Sequence, residues 1–360
     1  MTNKLWFQTG IGILLTMLII FMFQEIREVF NPLVIVAKTI FLPLLLGGVL
    51  FYLTRPLMKS LESKKLPRWA SLTTVLIILG LVFWLIYAII GPVVNSQVSS
   101  LIHNTPQMVK ESEKALDYVL NQKDRLPPVA VESLENATGR LNEFVMGFGT
   151  WLIGFIQGLI QGLFLIILVP FFLVYMLKDH EKFVPFVSGF FSGERKTWVK
   201  KTLHDLDVTL RSYIQGQLLV SFLVGVMLLI GYLIIRLDYA LLLALFGMVT
   251  NVIPFLGPYI AVVPAILIAL LQEPQMALYV AIIMLIAQQI ESNFISPNVM
   301  GKALHIHPLT VITVILAAGN IAGIWGIILA IPTYAVIKTI LSNLYQKRTE
   351  IRNAAAKEVD

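Results

Sequence analysis

The sequence predicts an all-α, polytopic integral membrane protein, and three observations support this fold class. Hydrophobic residues make up 57% of the chain, charged residues make up 13%, and the mean hydropathy is +0.82. A soluble globular chain is about 45–50% apolar and about 25% charged. The apolar residues also gather into uncharged runs, and about 20 such residues form a helix that crosses a membrane. We therefore expect about eight hydrophobic segments, with the lipid bilayer as a partner.

The first four hydrophobic runs have the length of ordinary spans. We expect residues 1–94 to hold transmembrane helices 1–3 and residues 148–177 to hold the fourth. Residues 95–147, between them, are polar and predict a small extracellular helical insert. Its first helix is expected to begin at Thr105, a suitable N-cap, with Pro106 in the first helical position.

Basic residues in the short loops predict the orientation of the chain. The loop Arg55–Arg68 is strongly basic, and so are residues 178–211 and the tail, residues 342–360. We expect these regions to be cytoplasmic, with residues 178–211 forming an amphipathic helical segment. The count of spans places both termini in the cytoplasm, in agreement with the charges.

Residues 212–341 predict a C-terminal transport domain with two helical hairpins, either re-entrant or simply short. The run Tyr239–Val252 would span roughly 21 Å as a helix, less than the roughly 30 Å of a hydrocarbon core. The run Leu309–Ala318 is shorter still. Ordinary spans bent by proline are the alternative. The residues expected to form the hairpin turns and hinges are Pro254, Gly257, Pro258, Pro297, Gly301, Gly319, Gly323, Gly326 and Pro332.

A carboxylate within an apolar segment marks the leading candidate for a binding site. Glu291 is costly in a membrane span and is by default a functional residue. Gln288 and Ser292 share its helix face, whereas Asn293 points elsewhere and is a weaker candidate. Because Pro297 predicts a nearby helix end, Glu291 as a helix-end anchor, ordered by Lys302, is the alternative.

Three amide side chains complete the candidate set. Asn251 and Asn320 lie at the two hairpin breaks, and Gln217 begins the fifth span. These amides are expected to bind a cation or a polar solute, although asparagine also favours turns for conformational reasons.

Several kinds of chemistry lack the residues that they need. The chain has no cysteine, no phosphate-binding loop and no acidic pair with metal-ligand spacing. His305 and His307 do not converge on a metal. We expect no enzyme activity, no metal and no cofactor other than a coupling H⁺ or Na⁺. The net charge of +6 belongs to the loops and does not predict a nucleic-acid partner.

Five stretches of the C-terminal half form a recognisable series. In order, they are SYIQGQ (Ser212–Gln217), NVIPFLGP (Asn251–Pro258), QQIESNFISPNVMGKAL (Gln288–Leu304), HIHPLTVI (His305–Ile312) and GIWGIILAIP (Gly323–Pro332). Together they resemble the autoinducer-2 exporter family of bacterial membrane proteins. The resemblance implies a secondary transporter or exporter in the bacterial inner or plasma membrane, assembled as a homo-oligomer such as a pentamer. It implies transport of an autoinducer-2-like solute, or of Na⁺ or Li⁺ in exchange for protons, without choosing between them. A non-transporting receptor or assembly scaffold that uses residues 95–147 is the alternative.

Overall fold

The computed structural model describes residues 5–120, 147, 163–300 and 306–357. Every regular element in these ranges is a helix, and five long helices come first in the described residues. They are α1 (Leu5–Glu25), α2 (Asn31–Ser63), α3 (Arg68–Leu120), α4 (Leu163–Gly189) and α5 (Gly193–Ile234). A short 3₁₀ turn, Ile26–Phe30, connects α1 to α2.

Shorter helices follow α5. They are α6 (Ala240–Thr250), α7 (Leu256–Gln272), α8 (Pro274–Ile290), α9 (Ser296–Met300) and α10 (Pro308–Lys357), with a π-helical turn, Glu291–Ile295, between α8 and α9.

Five helical stretches of the described residues are long and apolar enough to cross a membrane. They are Glu28–Ser63, Arg68–Leu101, Gly193–Ile234, Pro274–Met300 and Pro308–Thr349. Shorter apolar helices accompany them, and most of the large apolar side chains of α1–α3 are exposed. An exposed apolar surface of this extent requires lipid rather than water. The predicted all-α, polytopic membrane fold is therefore confirmed.

The helix predicted to begin at Thr105 does not have a start of its own. Helix α3 runs without interruption from Arg68 to Leu120, so Thr105 is an interior helical residue rather than an N-cap. The N-cap preference of threonine is weak compared with the gain from extending a helix that already exists, which adds one hydrogen bond per residue. The remainder of the predicted insert, residues 121–146, lies outside the described residues.

The chain divides into two compact units. The first comprises Met1–Phe51 and Gly162–Lys178, and within it α2 and α4 approach closely at Gly47. A Cβ atom at Gly47 would lie 3.0 Å from the Cβ of Phe172, so a larger residue would push these helices apart. Small residues at helix contacts are the usual means of close packing in a membrane.

The second unit comprises Tyr52–Gln161 and Asp179–Asp360, and its main core is formed by α5 to α8. Gly225 of α5 lies against Met248, and Gly247 of α6 lies against Leu228. In each pair a Cβ on the glycine would come within 2.6 Å of the neighbouring side chain. These glycines let the short helix α6 lie directly on α5.

Polar contacts hold the first half of α5 to its neighbours. The Arg55 Nη1 of α2 donates to both carboxylate oxygens of Asp207, with N–O distances of 2.9 and 2.8 Å. Asn343 of α10 donates from Nδ2 to Asp205 at 2.9 Å, and Trp198 donates from Nε1 to the Asn343 carbonyl at 3.2 Å. These contacts anchor the part of α5 that precedes its apolar stretch.

Helix α10 is two helical arms joined by a reversal. The backbone is non-helical only at Ala322 and Gly323, and Gly323 has φ of 58°. A Cβ on Gly326 would collide with the Ala318 carbonyl, although residues eight apart in a straight helix lie about 12 Å from each other. The two arms therefore run antiparallel. The turn is narrower than predicted, since Gly319, Gly326 and Pro332 are helical and flank it.

The first pair of short helices is also a hairpin. Helix α6 contains 11 residues, which is about 16 Å of helix, and α7 packs back against it. Pro254 lies in the turn between them, whereas Gly257 and Pro258 lie in the first turn of α7, where proline is tolerated.

The helix end that Pro297 predicts nearby is not observed, and this prediction is corrected. The helical path continues through Pro297 to Met300, after the π-helical turn Glu291–Ile295. In a regular α-helix the proline ring would clash with the carbonyl four residues earlier. The wider π turn changes the position of that carbonyl. Gly301, Lys302 and His305 lie outside the described residues.

Candidate functional site

One face of α5 carries polar side chains through an apolar core. Tyr213, Gln217 and Ser221 follow each other at intervals of four residues, so they lie on one side of the helix. All three are buried, with exposed fractions of 5%, 5% and 2%. A polar stripe of this kind is costly in a membrane unless each group finds a partner.

The tip of the first hairpin provides a partner for the middle residue of this stripe. The Gln217 Nε2 donates to the backbone carbonyl of Asn251 at 2.7 Å. Residues 251–255 are not helical, so carbonyls at the end of α6 are free to accept such a bond. The bond links α5 to the tip across 34 residues of sequence.

A glycine and a strained phenylalanine shape this tip. A Cβ on Gly257 would come within 2.6 Å of the Asn251 Cα and would also collide with the Thr250 carbonyl. Phe255 has φ of 65°, a conformation that costs a non-glycine residue of order 1–3 kcal/mol. The tip is thus a tight turn, with Asn251 only 2% exposed inside it.

Glu291 approaches the same tip from α8. Gln288 donates from Nε2 to the Glu291 Oε2 at 2.8 Å, as expected for two residues on one helix face. The Asn251 side-chain amide lies close enough to interact with this carboxylate, although its Nδ2 makes no hydrogen bond to a described residue. Glu291 is half-buried. The site thus contains one carboxylate, the amide of Gln217 from α5 and the amide of Asn251 from the hairpin tip.

Several buried polar atoms around the site make no hydrogen bond to any described residue. They are the Asn251 Nδ2, the Tyr213 hydroxyl and the Ser221 Oγ. A buried polar group without a partner costs about 1–3 kcal/mol, and native proteins contain few of them. A polar ligand or water at this place would satisfy these three atoms of α5 and the adjoining tip.

The second hairpin provides an apolar wall near Tyr213. The Tyr213 ring packs in a cluster with Val311, Ile315, Ala330 and Ile331, and Leu256 from the first tip also contacts this cluster. Both hairpins therefore meet at the polar stripe of α5. Asn320, the predicted ligand at the second turn, is exposed, and no hydrogen bond among the described residues connects it to Glu291.

Two more predicted residues are turned away from Glu291. Ser292 donates to the Gln289 carbonyl at 3.4 Å, and Asn293 donates from Nδ2 to the Gln289 Oε1 at 2.9 Å. Both are exposed. The π-helical turn that begins at Glu291 changes the angle between successive residues, so regular α-helical spacing does not describe this face.

The candidate residues chosen from the sequence do not include Tyr213 or Ser221. The available signal was the interval of four residues from Gln217 in both directions, which places all three on one helix face. In the described part of the chain, no group of three or more His, Cys, Asp or Glu residues is arranged to hold a metal ion.

The motifs that meet at this site are those on which the family resemblance rests. A protein-family model described as AI-2E family transporter matches residues 11–346. The chain belongs to the AI-2E transporter family.

Named relatives of this AI-2E family member are similar over most of their length. "Putative transport protein YueF" of Bacillus subtilis (strain 168) is 35% identical, with 95% of this chain and 94% of the relative covered. "Putative transport protein YrrI" of the same strain is 33% identical, with 96% and 97% covered. "Putative permease PerM" of Escherichia coli (strain K12) is 25% identical, with 83% and 86% covered.

The family and the helices together give the general role of the chain. An AI-2E family member with long apolar helices is embedded in a membrane and belongs among transporters and permeases. The names of these relatives describe transport rather than an enzymatic reaction.

Proposed function

We propose that this AI-2E family member is a secondary transporter that moves a small polar solute, or Na⁺ or Li⁺, in exchange for protons. The observation that carries the proposal is the meeting of Gln217, Asn251 and Glu291 at a hairpin tip. Broken helices that bring polar groups into the membrane core are the recurrent way in which transporters build a substrate site.

The chemistry of the three side chains fits this role. Glu291 supplies a charge that a cation or a proton neutralises, and a carboxylate in a membrane span is by default functional. Asn251 supplies an amide donor that makes no hydrogen bond to a described residue, and Gln217 holds the tip that carries it. A neutral solute with hydroxyl groups would satisfy the amide, whereas a cation would pair with the carboxylate.

We extend the proposal to the setting of the protein. An autoinducer-2-like compound is the proposed organic solute, and H⁺ or Na⁺ is the proposed coupling ion, with no other cofactor. The protein is proposed to lie in the bacterial plasma membrane as a homo-oligomer, with both termini in the cytoplasm. Gln288 is the proposed second partner of the carboxylate, because it already donates to Glu291.

The decisive experiment is flux through purified protein in proteoliposomes under an imposed pH gradient, with autoinducer-2, Na⁺ and Li⁺ tested separately. We expect Glu291→Gln to fold normally and to lose coupled flux about tenfold or more, or to lose its pH dependence, because an amide cannot exchange a proton or balance a cation. Glu291→Asp should retain part of the flux. Glu273→Gln is the matched control, since Glu273 is an exposed acid between α7 and α8.

Two outcomes would count against the proposal. Wild-type flux and unchanged pH dependence in Glu291→Gln would leave Glu291 as a structural residue. If the wild-type protein moves none of the three substrates, the receptor or scaffold alternative becomes the better reading.

A further inference from the structure

The N-cap residue of α6, the first helix of the first hairpin, does not cap the helix with its side chain. Tyr239 occupies the N-cap position of α6 with φ of 57°, and its side chain makes no capping hydrogen bond. The first N–H groups of a helix have no partner within the helix. A helix of only 11 residues is marginally stable by itself, so an acceptor for these groups from outside the helix matters.

A glutamine from a distant helix supplies the missing acceptor. The Oε1 of Gln97, on α3, accepts a hydrogen bond from the backbone N–H of Leu242 at 3.0 Å. Leu242 is the third residue of α6, and this N–H is one that an ordinary N-cap side chain serves. Gln97 is partly buried and 145 residues earlier in the chain, so it acts as a remote cap.

Other residues of α3 support the same contact. Val94, Val98 and Leu101 have helical spacing and pack into the core formed by α5 to α8, where Leu101 is only 6% exposed. Asn104 donates from Nδ2 to the Tyr239 hydroxyl at 3.4 Å. This stretch of α3 therefore holds the start of α6 by both polar and apolar contacts.

The other end of the hairpin is fastened to the same loop. Gln272, the last residue of α7, accepts from the Asp238 N–H at 2.9 Å and donates to the Arg236 carbonyl at 3.1 Å. The base of the hairpin is thus closed by Gln272 and capped by Gln97. The tip with Asn251 lies one length of α6 away, about 16 Å.

We infer that Gln97 is a positioning residue for the candidate site. By capping α6 it fixes the direction of that helix, and so it sets Asn251 against Gln217 and Glu291. Its effect on transport rests on the proposed function, whereas its effect on the hairpin does not. The residue at the N-cap position, Tyr239, makes no capping hydrogen bond with its side chain, and Gln97 supplies the acceptor in its place.

Three variants separate positioning from general stability. Gln97→Met keeps the size but removes the acceptor, whereas Gln97→Glu keeps an acceptor oxygen and places a favourable negative charge at a helix N-terminus. Asn95→Met is the matched control, because Asn95 lies on α3 two residues away and is exposed. All variants are studied as the full-length chain in lipid nanodiscs and in proteoliposomes.

The first measurement is hydrogen exchange of the α6 backbone amides in nanodiscs. We expect exchange at the start of α6 to be at least tenfold faster in Gln97→Met, and to stay close to wild type in Gln97→Glu and Asn95→Met. Equal exchange in Gln97→Met and the wild type would overturn the capping role. Fast exchange in Gln97→Glu would do the same. This measurement is informative even if no flux is found.

The second measurement is concentration-dependent flux, for whichever of autoinducer-2, Na⁺ or Li⁺ the wild type transports. We expect Gln97→Met to raise the half-saturation concentration severalfold while the maximal rate changes less, because the binding amides are displaced but remain present. Gln97→Glu should restore the wild-type value. Faster exchange with an unchanged half-saturation concentration would show a cap without a positioning role and would overturn the inference.

Discussion

The first hairpin reverses over residues 251–255, whereas the second reverses within Ala322 and Gly323. At the first tip, Asn251 is buried and bonded through its carbonyl to Gln217. At the second, Asn320 is exposed and Ile321 is 86% exposed. An asparagine lies in the first turn and another lies two residues before the second, yet only the first of them is buried in the core. A cluster of glycine, proline and asparagine residues therefore locates a chain reversal, but it does not determine which polar group becomes part of a site.

The two tips share one requirement, which is a glycine at a close backbone contact. Gly257 lies against Thr250 and Asn251, and Gly326 lies against Ala318. In both cases the neighbour is backbone, which cannot rotate away as a side chain can. The hairpins therefore have the same local packing constraint and differ in the polar groups that surround the turn.

The largest expected effect comes from filling these two contacts. Gly257→Ala and Gly326→Ala should each lower the free energy of unfolding by about 3 kcal/mol, because the added methyl group forces backbone to move. Unfolding in detergent, by heat or denaturant, measures the change. Gly80→Ala is the control, since nothing lies within 4 Å of a Cβ there and alanine favours a helix. If either hairpin variant is as stable as the control, that hairpin is not closed as described.

A smaller but more specific effect distinguishes the two asparagines. Asn251→Ala should reduce flux about tenfold, equivalent to about 1.4 kcal/mol, because it removes the buried amide beside Glu291. Asn320→Ala should change flux by less than about twofold, since an exposed side chain rarely contributes more than about 0.5 kcal/mol. Proteoliposome flux at matched protein density measures both. Equal losses in the two variants would contradict the distinction and would restore Asn320 as a ligand.

The smallest expected effect concerns backbone strain. Phe255→Gly should raise the free energy of unfolding by up to about 1 kcal/mol, because glycine adopts positive φ without a steric penalty. Gly323→Ala should lower it by about 1 kcal/mol or more, since φ at Gly323 is 58°. Unfolding curves of the two variants provide the comparison. A loss of stability in Phe255→Gly would mean that its ring, which is about half exposed, contributes more than its strain costs.

Features of this protein that depend on near neighbours in the chain could be predicted from its amino-acid sequence. Long apolar runs predicted a membrane protein, and they predicted helices because a backbone in lipid must satisfy its own hydrogen bonds. The glycine, proline and asparagine clusters located both hairpin turns to within a few residues. The spacing of Gln288 and Glu291 predicted that they share one helix face, and the structure adds a hydrogen bond between them. Each of these features depends on residues no more than about one helical turn away.

The packing of the helices determines which of the predicted polar residues come together. Gln217, Asn251 and Glu291 meet because glycines on α5 and α6 allow close packing, and no local pattern encodes that distance. Ser292, expected on the face of Glu291, instead bonds to the Gln289 carbonyl in the π-helical turn. Helix α3 continues through its expected boundary and places Gln97 at the base of the first hairpin. The physical reason is that helix formation is a local property, whereas burial and capping by a distant side chain depend on how separate helices pack.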